Sequence, residues 1–195
     1  MDDQEAKVED KIQPLLERIS FPGKIHLITN DQELSAAAEM LITASELGFD
    51  TETRPSFKKG EVYKVALLQL ATDADAFLIR LHGISNFKVL KTIFENKAVL
   101  KVGQAIGDDI KLLRKTFEFE PHNFIELQDI AKAQNLKNFG LKGMTAEVLN
   151  AALSKGPKTS NWEARVLTRQ QELYAATDAW IGLKLYRKLV PQLQG

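Results

Sequence analysis

Gly48-Phe49-Asp50-Thr51-Glu52-Thr53 places two carboxylates one residue apart in a run that otherwise reads as a β-strand. The period of a strand is two, so Asp50 and Glu52 project from one face while Phe49 and Thr51 project from the other. A face carrying two carboxylates belongs in a protein interior only where something neutralises them. The pair alone fits a solvated strand end as well as a cation site. Gly48-Phe49, immediately upstream, shows the strand entering from the interior.

Upstream of this strand, Lys24–Thr29 alternates apolar and polar residues after the turn signal Pro22-Gly23. Asn30, with Glu33 three residues on, predicts a capped helix start, and the Ala-rich stretch carries that helix to Glu46, with Gly48 ending it. Residues 1–22 are assigned to an acidic N-terminal extension that reads as a loosely packed helix, and residues 23–195 to a single domain. Downstream, the apolar runs Lys64–Ala71 and Ala76–Leu81 flank Thr72-Asp73-Ala74-Asp75 as a hairpin. Ser85–Asn96 is helical and Val99–Val102 is a short buried strand. Helices are then expected over Asp108–Thr116, Leu127–Gln134, Leu141–Leu153 and Thr168–Leu189, the last opened by a Thr168/Gln171 capping box. The fold class is α/β, a central mixed sheet from the first half flanked by helices mostly from the second.

Composition narrows the chemistry. The chain has no cysteine, which excludes disulfides, thiolate catalysis and Cys-ligated zinc, and His26, His82 and His122 lack metal-ligand spacing. A bound metal would have to be hard and oxygen-ligated. No apolar run reaches the roughly 18 residues of a membrane helix, and the start Met1-Asp2-Asp3-Gln4-Glu5 is unlike a signal peptide, so a cytoplasmic protein without membrane contact is expected. Net charge is zero, which argues against a partner held mainly by a strongly basic surface. The charge is unevenly spread. Residues 1–20 hold six acids and three bases, whereas residues 132–169 hold seven bases and two acids, a stretch able to track a phosphate backbone or simply to be a solvated surface.

Two further acidic motifs join the first. In Gly103-Gln104-Ala105-Ile106-Gly107-Asp108-Asp109, a strand gives way through glycines to a helix that begins at an acid, where the macrodipole favours a carboxylate for structural reasons alone. In Leu173-Tyr174-Ala175-Ala176-Thr177-Asp178, Tyr174 and Asp178 stand four apart on one helical face, among alanines that allow close approach to a sheet.

Taken in order, Phe49-Asp50-Thr51-Glu52, then Gly107-Asp108 with Lys111-Leu112-Leu113-Arg114, then Leu173-Tyr174-Ala175-Ala176-Thr177-Asp178 resemble the three exonuclease motifs of the DEDDy group within the DnaQ-like, RNase D/T-type superfamily. With Ser160-Asn161-Trp162, they are most similar to the exonuclease domain of the Werner-syndrome helicase and its stand-alone relatives. Thr53 departs from the tryptophan that relatives often carry after the first motif, and Gln104 stands where proofreading domains usually have Asn.

The resemblance implies a ribonuclease H-like fold and a 3′→5′ exonuclease releasing nucleoside 5′-monophosphates from nucleic acid, DNA or RNA, with a free 3′ end. It implies two divalent cations, Mg²⁺ or Mn²⁺, held by Asp50, Glu52, Asp108 and Asp178, with Asp50 shared between them. Tyr174 would orient the attacking water without ionising, since its unperturbed pKa is near 10. Thr51, Gln104, Arg54, Phe57, Lys58 and Arg165 are the candidate substrate contacts, and recruitment by other nucleic-acid-processing proteins is expected. Two alternatives stay open: a catalytically silent nucleic-acid-binding adaptor of the same fold, and a phosphatase or nucleotidase using the acids on small esters.

Overall fold

The computed structural model describes residues 16–55, 60–154, 156 and 160–190. Its strands are β1 (Glu17–Ile19), β2 (Lys24–Ile28), β3 (Glu46–Thr53), β4 (Val65–Ala71), β5 (Asp75–Arg80), β6 (Leu100–Gly103), β7 (Phe124–Glu126) and β8 (Ala151–Leu153). Its α-helices are α1 (Asp31–Thr43), α2 (Lys88–Glu95), α3 (Ile106–Arg114), α4 (Leu127–Ala133), α5 (Leu141–Leu149) and α6 (Arg169–Leu189).

Six strands form one mixed sheet in the order β2-β5-β4-β3-β6-β7. The hairpins β3/β4 and β4/β5 are antiparallel, and the pairs β2/β5, β3/β6 and β6/β7 are parallel. The turn expected at Thr72–Asp75 is closed by the Thr72 amide on the Asp75 carbonyl at 2.8 Å. One face of the sheet is covered by α1, α2 and α3 through Leu34, Leu41, Leu90, Phe94 and Leu113, which pack with Phe49. On the other face, Leu67, Ala71 and Leu78 pack against Ala175, Ala176 and Ala179 of α6. Strand β3 is central, so its alternating side chains serve two different layers.

Close approach of α6 to β3 depends on Gly48, where a Cβ would overlap the Ala179 carbonyl. Lys101 ties β6 to α2: fully buried, its Nζ donates to the carbonyls of Ile93, Asn96 and Val99 at 3.1, 3.0 and 2.8 Å. It thereby satisfies acceptors around the C-terminal end of α2. Burial pulls its pKa down to about 8.

The structure changes three readings of the sequence. Helix α1 stops at Thr43 rather than Glu46, because Glu46, Leu47 and Gly48 pair in parallel with Leu100, Lys101 and Val102; strand pairing outweighs helix propensity there. The helix expected to run to Leu153 ends at Leu149, where Asn150 takes a left-handed conformation (φ 50°) and turns the chain into β8. Within the extension assigned to residues 1–22, Glu17–Ile19 pairs with Ala151–Leu153 and Phe21 is buried against Trp180, so residues before Gly23 pack with the rest of the fold. The helix read into the first residues lies outside the described residues. No helix among the described residues is long and apolar enough to cross a membrane.

Candidate active site

Asp50 and Glu52 leave β3 on the side covered by α6, and Asp178 of α6 meets them there. One carboxylate oxygen from each of the three lies within 4.8 Å of the others. Burial lifts the Asp50 carboxyl well above the ordinary carboxylate range, and the charges of Asp178, Glu52 and Asp109 push it further. Three carboxylates brought this close oppose one another unless a cation or protons intervene. Their donors are all hard oxygens, the set that suits Mg²⁺ or Mn²⁺.

Of the two adjacent acids at the start of α3, the structure turns Asp109 and not Asp108 toward β3, and neither is among the three whose oxygens converge. Asp108 points away from the group: its side chain is 88% exposed and pairs with Lys111 at 2.8 Å, which holds its pKa below the ordinary value. Asp109 is half-buried and accepts a hydrogen bond from the Thr51 hydroxyl at 2.5 Å, directly between Asp50 and Glu52 in the chain. Burial raises its pKa, and its charge is felt at Asp50. Neighbours on a helix point about 100° apart, so only one of the two can face inward. The periodicity of α3 carried the signal: Ile106 and Leu113 are buried, and Asp109 stands three and four residues from them, on their face, whereas Asp108 does not.

Asp109 is aimed by the turn before it. Gly103 leaves no room for a Cβ beside the Phe49 carbonyl, and Ala105 takes a left-handed conformation (φ 59°) to start α3 sharply. The Glu126 carboxylate then accepts from the Ala105 and Ile106 amides, both at 2.8 Å. Glu126 therefore performs the helix-start role that the sequence suggested for Asp108 and Asp109.

Tyr174 lies on the wall of the same cleft, one turn before Asp178, and its hydroxyl hydrogen-bonds the Asp178 carboxylate. Burial, followed by the charge of and hydrogen bond to Asp178, raises its pKa strongly, so the group is a phenol and not a phenolate. The cleft measures about 450 Å³ and is lined by Thr51, Gln104, Lys142, Leu153 and Ser154 besides the acids and Tyr174. This volume is in the range of small-molecule sites.

Of the candidate substrate contacts, Thr51 and Gln104 line the cleft. Arg54 and Arg165 are not among the described residues lining it. Arg54 lies over the Tyr63 ring, 5.1 Å from its centroid, and 3.8 Å from Glu163. Arg165 has an exposed side chain, while its backbone carbonyl accepts from buried Arg80 at 2.8 Å. Phe57 and Lys58 lie outside the described residues. Trp162 is fully buried as an anchor of the segment leading into α6. Sequence reading missed Lys142, which the N-terminal turn of α5 brings to the cleft; its place in the basic stretch 132–169 was the available hint.

The sequence model of a 3′-5′ exonuclease family matches residues 25–194. The chain is 36% identical over 197 residues to the bifunctional 3′-5′ exonuclease/ATP-dependent helicase WRN of Mus musculus, covering 95% of this chain and 14% of that protein. Among solved structures, the Nibbler EXO domain of Aedes aegypti superposes with a TM-score of 0.78 at 26% identity, covering 87% of this chain and 88% of that one. Ribonuclease D of Escherichia coli superposes with a TM-score of 0.78 at 27% identity, covering 87% of this chain and 45% of that one. The chain thus spans a small part of the first relative and less than half of ribonuclease D. The match runs from β2 through α6 and takes in every acid of the cleft, so the chain belongs to the 3′-5′ exonuclease family.

Proposed function

We propose that the chain removes nucleotides one at a time from the free 3′ end of a nucleic acid by hydrolysing the terminal phosphodiester bond. The products are nucleoside 5′-monophosphates. The observation that carries this reading is the convergence of Asp50, Glu52 and Asp178 on one point inside a cleft of about 450 Å³.

Two divalent cations, Mg²⁺ or Mn²⁺, are proposed as the cofactors. Asp50, Glu52 and Asp178 would hold them, with Asp109, held by its Thr51 hydrogen bond, as a further acid beside the group. Bound cations of this kind make a water nucleophilic at neutral pH and stabilise the charge on a departing 3′ oxygen. The residues do the remaining work. Tyr174 stays protonated and hydrogen-bonded to Asp178, so it can orient a water but cannot deprotonate one. Asp178 fixes the direction of that hydroxyl. Lys142 and Gln104 offer a cation and an amide to the phosphate and base of the terminal nucleotide.

The substrate class is DNA or RNA with a free 3′ end, and we place the activity in the cytoplasm, with recruitment by other nucleic-acid-processing proteins. The test is degradation of matched 5′-labelled DNA and RNA strands, single-stranded and recessed, in Mg²⁺ and in Mn²⁺. A ladder shortening from the 3′ end supports the proposal. Binding without shortening would identify a silent adaptor, and release of phosphate from mononucleotides would identify a phosphatase.

A further inference from the structure

Among the described glycines, Gly156 is the one whose missing Cβ is blocked entirely by an aromatic side chain. A Cβ built there would overlap Cδ2 and Cε2 of Tyr174 and crowd its Cγ. At Gly23, Gly48, Gly83 and Gly103 the blocking atoms include backbone carbonyls, the signature of strands and helices packing closely. Glycine at position 156 leaves the Tyr174 ring its room. It supplies space, and the side chain that fills the space faces the acidic cleft.

Tyr174 has little other freedom. Its Cα belongs to α6, where Ala175 and Ala176 are buried against the sheet. The Trp162 ring stacks beside it, 6.2 Å between centroids and 29° between planes. Trp162 is itself fully buried. A methyl group at position 156 must therefore turn the phenol about its side-chain torsions and carry the hydroxyl off Asp178. An off-rotamer turn of about 30° moves the far end of a tyrosine ring by more than an ångström, and a displacement of about that size can cost on the order of a hundredfold in rate.

We propose that Gly156 is a positioning residue for the reaction: its missing side chain leaves the room in which Tyr174 holds its hydroxyl on Asp178. This rests on the assignment of Tyr174 as the group that orients the water. The experiment compares wild type, Gly156→Ala, Tyr174→Phe and the double variant in single-turnover cleavage of a 5′-labelled oligonucleotide, with KM, melting temperature and Mn²⁺ binding for each.

Gly156→Ala is expected to lower turnover about tenfold to a hundredfold, with KM within about twofold and Mn²⁺ binding unchanged, since no acid moves. In the Tyr174→Phe background the same change should cost less than about twofold, because the hydroxyl it displaces is already gone. Equal losses in both backgrounds would overturn the proposal, as would full turnover in Gly156→Ala alongside a damaged Tyr174→Phe. If Tyr174→Phe turns over like wild type, the assignment of Tyr174 fails and the role of Gly156 falls with it. If Gly156→Ala melts early, the same variant measured well below its melting temperature still applies the displacement, and normal turnover there overturns the proposal.

Discussion

Changing Asp108 and Asp109 separately to Asn puts two adjacent, chemically identical residues to opposite expectations. Asn keeps the size of Asp and an acceptor oxygen for the Thr51 hydroxyl, so the contact at position 109 survives while its charge is removed. A carboxylate that helps hold a cation is worth several kcal/mol to the transition state. A loss of about 3 kcal/mol at about 1.4 kcal/mol per tenfold is more than a hundredfold in turnover. The fold should not suffer. Burial raises the pKa of Asp109 and its charge raises that of Asp50, so removing that charge should leave the metal-free melting temperature unchanged or higher. Asp108 is exposed and paired with exposed Lys111, an arrangement that solvent screens, and Asp108→Asn should stay within about twofold of wild type. Single-turnover cleavage at saturating oligonucleotide, with a melting curve of each sample, reads both quantities. An inactive Asp108→Asn beside an Asp109→Asn within tenfold of wild type would refute the geometry.

Three other outcomes follow from the same contacts. Gly48→Ala should lower stability by about 1–3 kcal/mol and turnover together, because its methyl meets the Ala179 backbone and moves Asp178 relative to Asp50; a melting curve and a rate suffice to check it. Saturating Mn²⁺ should raise the melting temperature by several degrees, since binding at about 100 times Kd adds about 2.7 kcal/mol to the folded state. That gain should be larger at about pH 7.5 than at about pH 5. The sign follows from the raised Asp50 pKa: above its ordinary value of 3.8 the metal-free folded state keeps a proton that the unfolded chain has shed, so metal-free stability falls as pH rises through that window. A gain independent of pH would argue against a metal on Asp50. Lys142→Ala should raise KM several-fold and reduce the salt slope by about one, with turnover nearly unchanged, if its ammonium meets a phosphate.

How legible the molecule was in its sequence depended on the range of the interaction involved. The β4/β5 hairpin and the start of α6 are set by local chemistry, the Thr72 turn and the Thr168/Gln171 capping box, and both stand where the sequence put them. Strands β1 and β8 were not legible because each is three residues long and each finds its partner more than a hundred residues away. The end of α1 was misplaced for the same reason, since Glu46 becomes a strand residue only through Leu100. In the site, strand alternation put Asp50 and Glu52 on one face, the resemblance joined Asp178 to them, and the structure brings the three together. The Gly107-Asp108 pattern put Asp108 in the acid set, whereas α3 turns Asp109 toward Thr51 of β3, an orientation set by which side of the helix faces the sheet. The contacts of Arg54, a candidate substrate contact, with Tyr63 and Glu163 were not legible, since Glu163 lies more than a hundred residues away.

Hydrolysis at a 3′ end by a metal-dependent acidic site is tested most directly by the first product released from an oligonucleotide labelled on its 3′-terminal nucleotide. In Mg²⁺ or Mn²⁺ the predicted first labelled product is a nucleoside 5′-monophosphate, formed before any shorter fragment, abolished by EDTA and absent from Asp50→Asn. Labelled oligonucleotide fragments appearing first, or release that persists in EDTA, would contradict it.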